Sequence, residues 1–402
     1  MCYNVAMGAI LLIDCNNFFV SCEEVFDPSL KGKPVCVLSN NDGCVIARSN
    51  PAKDLGVTMG MPYFIAKKKF KNVVYLSGNR ERYVEISKKI MKHLERFTPS
   101  VEVYSIDEAF LDITGCEKAH KTTYIEIAKM VRASIRDEIG VDVSVGLSTS
   151  KTLAKLSSEI AKAAIRKKTD LSGVFEINEN NRSEILRNTS IHDIWGIGRN
   201  LNKTLRAHNI GTASEFANLP DDFLKRNLGK NGLELKQELL GNSANPVESD
   251  PKPPKSISKT ASFREFTEDK SVIKNTLNYH SHLVCTKLRR FDLTAKLLII
   301  MLRTKDFKVF TNKIALEIPI DSEFEINKLI YRLFDEIYIP GVIYRSSGVI
   351  VGRIVSKHDT QLTLFDSEKR QKSKNLSRAW DNIEKKYGFG SLKVGVIKSR
   401  EE

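Results

Sequence analysis

Two adjacent acidic residues interrupt an otherwise apolar stretch of this chain. The segment VEVYSIDEAFLDITG, residues 101–115, holds Asp107 and Glu108 among valine, isoleucine, leucine and phenylalanine side chains typical of a buried strand. Neighbouring carboxylates repel each other, and removing them from water is costly. A chain that keeps such a pair beside its core needs positive charge at that place. The segment therefore predicts a strand whose acidic residues have a function.

A third carboxylate closes the first predicted strand. Residues 9–15, AILLIDC, are an apolar run that reaches Asp14. If this strand lies beside the strand that carries Asp107 and Glu108, three carboxylates converge. Oxygen-only ligands favour Mg²⁺ or Mn²⁺, and two such ions can activate a 3′-hydroxyl and stabilise a pyrophosphate leaving group. By itself, an acidic pair such as Asp107 and Glu108 more often marks a strand end that faces solvent. The additional carboxylate of Asp14 favours the metal site in this chain.

Charge and cysteine content narrow the class of protein. The formal net charge is +14, and lysine and arginine are spread along the whole length. Solvated lysines alone could account for this, but the excess favours a polyanionic partner, nucleic acid before membrane. The seven cysteines are an odd number without a CxxC pair, which predicts reduced cytosolic thiols instead of disulfides or a zinc site. No apolar run approaches the ~20 residues of a membrane span.

The order of strand and helix patterns predicts several domains. Up to about residue 168 the patterns predict an α+β layered sheet, with a small β-containing excursion at 21–76. Helices and loops dominate from about 170 to 242, and NSANPVESDPKPPKS, residues 242–256, is typical of a linker. Four strands and two helices follow. The polar tail from about 357 is expected to be mobile.

Five segments resemble the Y-family of translesion DNA polymerases. They are LLIDCNNFFVSCE, GKPVCVLSNNDGCVIARSNPAKDLGV, VYSIDEAFLDITG, VSVGLSTSKTLAKLSSEIAK and IHDIWGIGR. LSNNDGCVIARS and WGIGR are similar to the UmuC-like branch, the catalytic-subunit type of bacterial DNA polymerase V. The match keeps a consistent order over roughly residues 9–365.

The resemblance implies an α+β, multidomain right-hand polymerase. Its predicted parts are a palm (1–20 and 77–168), small fingers (21–76), a helical thumb with a helix–hairpin–helix (169–241), the linker (242–256), an α/β little finger (257–356) and a mobile tail with a clamp-binding peptide (357–402).

The resemblance implies catalytic roles for the residues that match the family's motifs. Asp14, Asp107 and Glu108 match its metal-binding carboxylates, and Cys15 is expected to offer a metal its backbone carbonyl. Phe19 falls at the steric-gate position, where an aromatic ring excludes a ribose 2′-hydroxyl. Without the resemblance, Phe19 would be interpreted as a core aromatic.

Two lysines match the residues that hold the incoming triphosphate, namely Lys53 and Lys162. A helical lysine is ordinarily a solvated charge, so both assignments depend on the resemblance. Many relatives carry a phosphate-contacting tyrosine where this chain has Asn50, and Arg48 is expected to compensate.

The remaining assignments concern DNA and a sliding clamp. Gly196, Gly198 and Arg199 resemble a hairpin whose backbone N–H groups approach a DNA phosphate. The last domain is basic, and Arg289 and Arg290 are expected to contact DNA, although these charges could equally form a solvated face. QLTLF, with anchors Gln361, Leu362, Leu364 and Phe365, resembles the peptides by which bacterial polymerases bind the clamp.

The implied function is error-prone DNA-directed DNA polymerisation across lesions in the DNA-damage (SOS) response. Two Mg²⁺ ions, or Mn²⁺ in their place, would serve as cofactors. Expected partners are primer–template DNA, dNTPs, a sliding clamp, an accessory subunit of the UmuD type and a RecA-like filament. The expected location is the bacterial cytoplasm, at the nucleoid during activity.

Two alternatives remain at this point. A palm-type nucleotidyl cyclase shares the carboxylates but needs no hairpin motif, linker or basic last domain. A non-catalytic DNA-binding or clamp-competing subunit predicts loss of a carboxylate, and all three are present.

Overall fold

The computed structural model describes residues 8–250, 252–357, 367–388 and 391–392. The chain forms two compact units, Met1–Pro251 and Lys252–Glu402. No helix in the described ranges is long and apolar enough to cross a bilayer. The predicted clamp-binding residues Gln361, Leu362, Leu364 and Phe365 lie outside the described residues.

The first unit combines two sheets with helices. Its strands are β1 (Ile10–Cys15), β2 (Val35–Leu38), β3 (Val45–Arg48), β4 (Val74–Ser77), β5 (Val101–Val103), β6 (Glu108–Asp112), β7 (Val143–Ser148) and β8 (Val174–Glu176). Its α-helices are α1 (Phe18–Phe26), α2 (Asn50–Asp54), α3 (Tyr63–Lys69), α4 (Arg80–Leu94), α5 (Cys116–His120), α6 (Tyr124–Ile139), α7 (Lys151–Lys167), α8 (Glu179–Asn188), α9 (Arg199–Ala207), α10 (Ala213–Ala217) and α11 (Asp221–Leu239). Short 3₁₀ turns occur at Pro28–Leu30, Asn40–Asp42 and Ile191–Asp193.

The palm sheet has the strand order β5-β6-β1-β7-β8 and places β1 at its centre. All six residues of β1 are buried, because helices cover both faces of the sheet. Leu11 and Ile13 face the core formed with α1, α4 and α6, whereas Ile10 and Leu12 face the opposite side, where α7 packs. Gly146 allows α7 to approach β7 closely, since a Cβ there would lie 2.0 Å from the Ala154 carbonyl oxygen.

The fingers form a separate small sheet with the order β3-β2-β4, in which β2 is antiparallel to β3 and parallel to β4. Its own core contains Cys36, Leu38 and Val45. Helix α1 crosses the predicted palm–fingers boundary at residue 20, and Phe18, Val20 and Cys22 pack in the palm core. The chain therefore leaves the palm only after α1.

The thumb is helical, as expected, with α8 to α11 around buried Ile191, Leu205, Phe216 and Leu224. The predicted boundary at residue 169 is wrong, because β8 pairs parallel to β7 and completes the palm sheet. Three residues, VFE, are too short for a periodic strand signal, so the sequence alone did not reveal this strand.

The second unit has the four strands and two helices that the sequence predicts. Its elements are β9 (Ser256–Thr267), α12 (Lys270–Arg290), β10 (Leu293–Thr304), β11 (Val309–Ile320), α13 (Glu323–Ile337) and β12 (Tyr344–Ser356). The sheet order is β11-β10-β12-β9, antiparallel throughout. Leu298, Ile300 and Leu302 alternate toward the core that α12 and α13 cover.

The expectation of a mobile tail is wrong for residues 367–387, which form helix α14 (Ser367–Tyr387). Trp380 is 7% exposed, and the centroid of its ring lies 4.8 Å from the centroid of the His282 ring of α12. Glu384 and Ser377 are also buried. Because the segment is mostly polar, its sequence did not predict this helix, which packs on the second unit through a few buried side chains.

Candidate active site

The register of β1 and β6 brings two of the predicted carboxylates together. Asp14 is the direct antiparallel partner of Glu108. The apolar run 101–115 is not one strand but the hairpin β5–β6, and Asp107 lies in the bend just before β6, not in a strand as predicted. The Cys15 backbone N–H donates to the Asp107 carbonyl at 2.9 Å, which fixes the bend against the end of β1.

Ser105 shapes this bend. Its hydroxyl donates to Asp107 Oδ1 at 2.6 Å and accepts the backbone N–H groups of Asp107 and Glu108 at 3.2 and 3.0 Å. A serine that bonds its neighbours in this way stabilises a turn in place of a strand ladder. It also holds the acidic pair at the sheet end.

Two of the three acidic residues, Asp14 and Glu108, are paired with lysines of α7. Asp14 Oδ2 accepts from Lys162 Nζ at 2.6 Å, and Glu108 forms an ion pair with Lys155. No three His, Cys, Asp or Glu side chains of the described ranges lie close enough together to hold a metal ion. At this site Asp14 and Glu108 are each turned toward a lysine. The backbones of Asp14, Asp107 and Glu108 are adjacent, but their side chains do not converge as the sequence predicted.

Asp14 is nonetheless a poorly neutralised acid. It is 6% exposed, and burial raises the pKa of its carboxyl to about 6, although the Lys162 ammonium acts to lower it. Burial acts to lower the pKa of Lys162, but contact with Asp14 and Glu159 outweighs burial and raises it. Asp14 is buried, whereas Asp107 and Glu108 are half-buried. Carboxylate and carbonyl oxygens are the donors that hard divalent cations prefer. In chemical type Asp14, Asp107, Glu108 and the Cys15 carbonyl fit Mg²⁺ or Mn²⁺, but Asp14 and Glu108 would have to leave their lysine partners to bind one ion together.

A cleft of about 680 Å³ opens between α1, α2 and α7. Asn17, Asn50, Lys53, Lys162 and Arg166 are among its lining residues. The pKa of the Lys53 ammonium is lowered, first by burial and then by the positive charges of Arg48 and of two cations on α7. A cleft whose neighbouring cations lower the pKa of one of its lysines favours an anionic ligand.

Two of the residues predicted to contact the incoming nucleotide, Phe19 and Arg48, lie outside this cleft lining. Arg48 donates from Nη1 to the Val57 carbonyl at 2.6 Å, so this end of its guanidinium is turned into the fingers, and the phosphate contact predicted for it stays a prediction. The half-buried Phe19 ring stacks on Tyr83 with 4.6 Å between ring centroids. Tyr83 is itself fixed by donating to Glu23 at 2.6 Å. Phe19 is thus held rigidly in place.

The thumb hairpin is exposed in the way a phosphate contact requires. Gly196 (φ +92°), Gly198 and Arg199 are exposed, while Ile197 between the glycines is buried. Gly198 is the N-cap of α9 and makes no side-chain cap bond, which leaves backbone N–H groups of the first turn available. The positive φ of Gly196 lies in the region that favours glycine.

The DNA contact predicted for Arg289 is wrong. Arg289 lies on α12, and its guanidinium donates to Asp381 and Glu323 at 2.7 and 2.6 Å and to the Asp321 carbonyl at 2.9 Å. These contacts use the groups that a phosphate would need. Arg290 is exposed at the end of the same helix.

Several functional candidates were missed by the sequence interpretation. Lys155 was one helical lysine among many, and only the fold pairs it with Glu108. Trp195 donates from Nε1 to the Tyr104 hydroxyl at 3.1 Å and joins the thumb hairpin to the β5–β6 bend. Asn17 belongs to a quoted motif, but no sequence signal distinguished it from Asn16.

Comparison with known proteins gives a consistent result for both units. Residues 13–159 match the impB/mucB/samB family, and residues 254–364 match the C-terminal domain of that family. Protein UmuC of Salmonella typhimurium is 33% identical over 391 residues, covering 95% of this chain and 92% of that protein. A DNA polymerase IV of Dehalococcoides mccartyi is 31% identical over 396 residues, covering 97% of this chain and 98% of that protein.

Solved structures show the same fold. A chimera of the Y-family DNA polymerases Dbh and Dpo4 is similar at 25% identity with a TM-score of 0.73, covering 87% of this chain and 99% of that chain. DinB from Sulfolobus solfataricus is similar at 25% identity with a TM-score of 0.55 and the same coverage.

Proposed function

This chain belongs to the impB/mucB/samB family of Y-family DNA polymerases, and from that premise we propose that it extends primers past damaged template positions in the DNA-damage (SOS) response. One observation carries the proposal. The strand register sets Asp14 opposite Glu108, with Asp107 one residue away. A cationic cleft lies beside α1 and α7.

The strand-end donors would hold two Mg²⁺ ions, for which Mn²⁺ could substitute. Asp14, Asp107, Glu108 and the Cys15 carbonyl are the residues concerned. When bound, the ions would supply the Lewis acidity that activates the primer 3′-hydroxyl and neutralises the pyrophosphate leaving group.

The side chains of the cleft would bind and orient the incoming nucleotide. Lys53, Lys162 and Arg166 would hold its phosphate oxygens, since their positive charges meet around one cavity. The Phe19 ring, held by Tyr83, would exclude a ribose 2′-hydroxyl. Positioning and charge neutralisation carry most of the catalysis in phosphoryl transfer, so these contacts suffice without a covalent intermediate.

DNA would be held mainly through its phosphates. The exposed hairpin of Gly196, Gly198 and Arg199 would meet one strand through backbone N–H groups. Arg290 and basic residues on the second unit's strands would add charge. We also propose three protein partners: a sliding clamp that binds residues 361–365, an accessory subunit of the UmuD type and a RecA-like filament. The proposed place of action is the bacterial cytoplasm, at the nucleoid. Clamp stimulation on primed circles tests the peptide assignment through a Leu364→Ala/Phe365→Ala variant.

Primer extension across a template abasic site tests the proposed activity. The full chain, with Mg²⁺ and dNTPs, should add a nucleotide opposite the site and continue beyond it, alone or once a RecA-like filament is supplied. Extension on intact template that always stops one position before the lesion would restrict the enzyme to ordinary synthesis. No extension on either template, with or without the filament, would overturn the proposal.

A further inference from the structure

We propose that Asn17 is a positioning residue for the dNTP triphosphate, which it serves by holding Lys53 in the cleft together with Asn50. The proposal rests on the proposed polymerase function and assigns a specific task to a side chain at the junction of palm and fingers. Asn17 precedes α1 of the palm, and Asn50 and Lys53 belong to α2 of the fingers.

The three side chains form a closed hydrogen-bonded set. Lys53 Nζ donates to Asn17 Oδ1 at 2.5 Å and to Asn50 Oδ1 at 3.4 Å. Asn17 Nδ2 donates to Asn50 Oδ1 at 3.2 Å. Asn17 therefore uses both ends of its amide, one to receive the ammonium and the other to orient the second acceptor.

The backbone of Asn17 explains why an asparagine occupies this position. Its φ of 50° and ψ of 39° are left-handed, a conformation that asparagine tolerates better than most residues. Asn17 is the N-cap residue of α1 but makes no side-chain cap bond. The amide is thus directed across the cleft to α2 and not into its own helix.

The charges around the cleft explain why Lys53 needs neutral hydrogen-bond acceptors. The pKa of Lys53 is lowered by burial and by neighbouring cations, so an isolated Lys53 ammonium would turn away toward solvent. Two neutral amide oxygens keep it in the cleft without cancelling its charge, which a carboxylate partner would do. Lys162, by contrast, is paired with Asp14. Lys53 is therefore a cleft ammonium that no carboxylate neutralises in the contacts of the described residues, and it faces neutral amide oxygens instead.

The set also places a cation next to Asn50. Asn50 accepts from Lys53 Nζ, whereas Arg48 donates to the Val57 carbonyl. The Asn17–Asn50 pair therefore positions the lysine that would contact the phosphate. Asn17 is expected to act on nucleotide binding and not on the chemical step.

Binding of a non-hydrolysable dNTP to the full chain on primer–template DNA tests the assignment. The variant is Asn17→Gly, because glycine keeps the left-handed backbone and removes only the amide. We expect the dissociation constant to rise about tenfold, as for the loss of one hydrogen bond to a charged group. In steady-state extension, KM for dNTP should rise by a similar factor while kcat stays within about twofold. Asn209→Gly is the matched control, since Asn209 is exposed and also left-handed (φ 60°).

A double-mutant cycle separates positioning from a general structural role. Asn17→Gly combined with Lys53→Ala should bind the dNTP no more weakly than Lys53→Ala alone, because Asn17 acts through Lys53. Asn50→Ala should behave like a milder Asn17→Gly. Additive losses, an unchanged dissociation constant or an effect on kcat alone would overturn the assignment. These outcomes are distinct from failure of the proposed function, in which the parent chain extends no primer.

Discussion

Asp14 is a buried carboxylate whose charge is only partly offset. Burial raises its pKa to about 6 even though Lys162 lies 2.6 Å away. A divalent ion bound beside such a carboxylate at neutral pH, where the group is ionised, would offset the cost of its desolvation. At the scale of single residues, the site therefore combines a carboxylate end suited to metal with an ammonium end suited to phosphate.

Phe19 yields the prediction at this scale. Phe19→Ala should raise ribonucleotide incorporation relative to deoxyribonucleotide by about tenfold or more, because the space that the ring fills becomes open to a 2′-hydroxyl. The ratio of rNTP to dNTP incorporation on one template is the measurement. Phe26→Ala, on the same helix but 44% exposed, is the matched control. An unchanged ratio in Phe19→Ala would leave Phe19 as a packing partner of Tyr83.

Helix α14 shows how a polar segment is held by few contacts. Arg289 of α12 bridges Asp381 of α14 and Glu323 of α13, and His282 lies between Glu323 and Glu384 at 3.4 and 3.0 Å. Burial acts to lower the pKa of His282, but its contacts with the two glutamates outweigh burial and raise it above its ordinary value of 6.5. A protonated His282 therefore stabilises the docked helix.

The docking of α14 should depend on pH accordingly. Because the pKa of His282 is higher in the folded state, its contribution is complete below about pH 6.5 and is lost as pH rises through the raised value. Contacts with His282 and Arg289 lower the pKa of Glu323 against the effect of burial, so its contribution is lost only at acid pH. Buried His280, whose pKa burial lowers to about 4, stays neutral above that pH.

Hydrogen exchange in α14, measured from pH 6 to 9 and corrected for intrinsic rates, tests this expectation. Protection should fall with rising pH in the parent chain and become flat in His282→Gln. His208→Gln, in the first unit, should keep the parent's slope. A parent profile without slope would contradict a contribution of His282 titration to the docking of α14 in this pH range.

Comparison of these elements shows what the sequence could and could not predict. The acidic residues, and the four strands and first two helices of the second unit, were recognisable because residue type and periodicity are local properties. Helix α14 of the same unit was not. The pairing of Arg289 with Asp381, 92 residues apart, is not local, so Arg289 was predicted as a free DNA-binding charge. For the same reason the Asp14–Glu108 register and the Ser105 bend became known only from the fold.

At the scale of the whole molecule, charge is the dominant property. A formal charge of +14 with an exposed glycine hairpin in the first unit predicts DNA binding that is largely independent of sequence. Affinity for primer–template DNA should fall steeply with salt, by about 0.9 logarithmic units per phosphate contact for each tenfold rise in salt.

Arg199→Ala should reduce that slope by about one contact, as a titration of binding at several salt concentrations would show. Lys118→Ala, an exposed change on palm helix α5, serves as the charge-matched control and should keep the parent's slope. A flat salt profile, or a strong preference for one duplex sequence, would favour a regulator over a polymerase.

The most direct measurement is single-nucleotide primer extension by Asp107→Asn and Glu108→Gln at saturating Mg²⁺, with duplex affinity measured in parallel. Each change keeps the shape of the side chain but removes a charge that the proposed ions require. We predict a loss of extension of at least about a thousandfold, equivalent to several kcal/mol of transition-state stabilisation, with duplex affinity within about twofold of the parent. Asp112→Asn, at the far end of β6, should extend normally. Normal extension by Asp107→Asn or Glu108→Gln would contradict the assignment of the strand-end carboxylates as the catalytic centre.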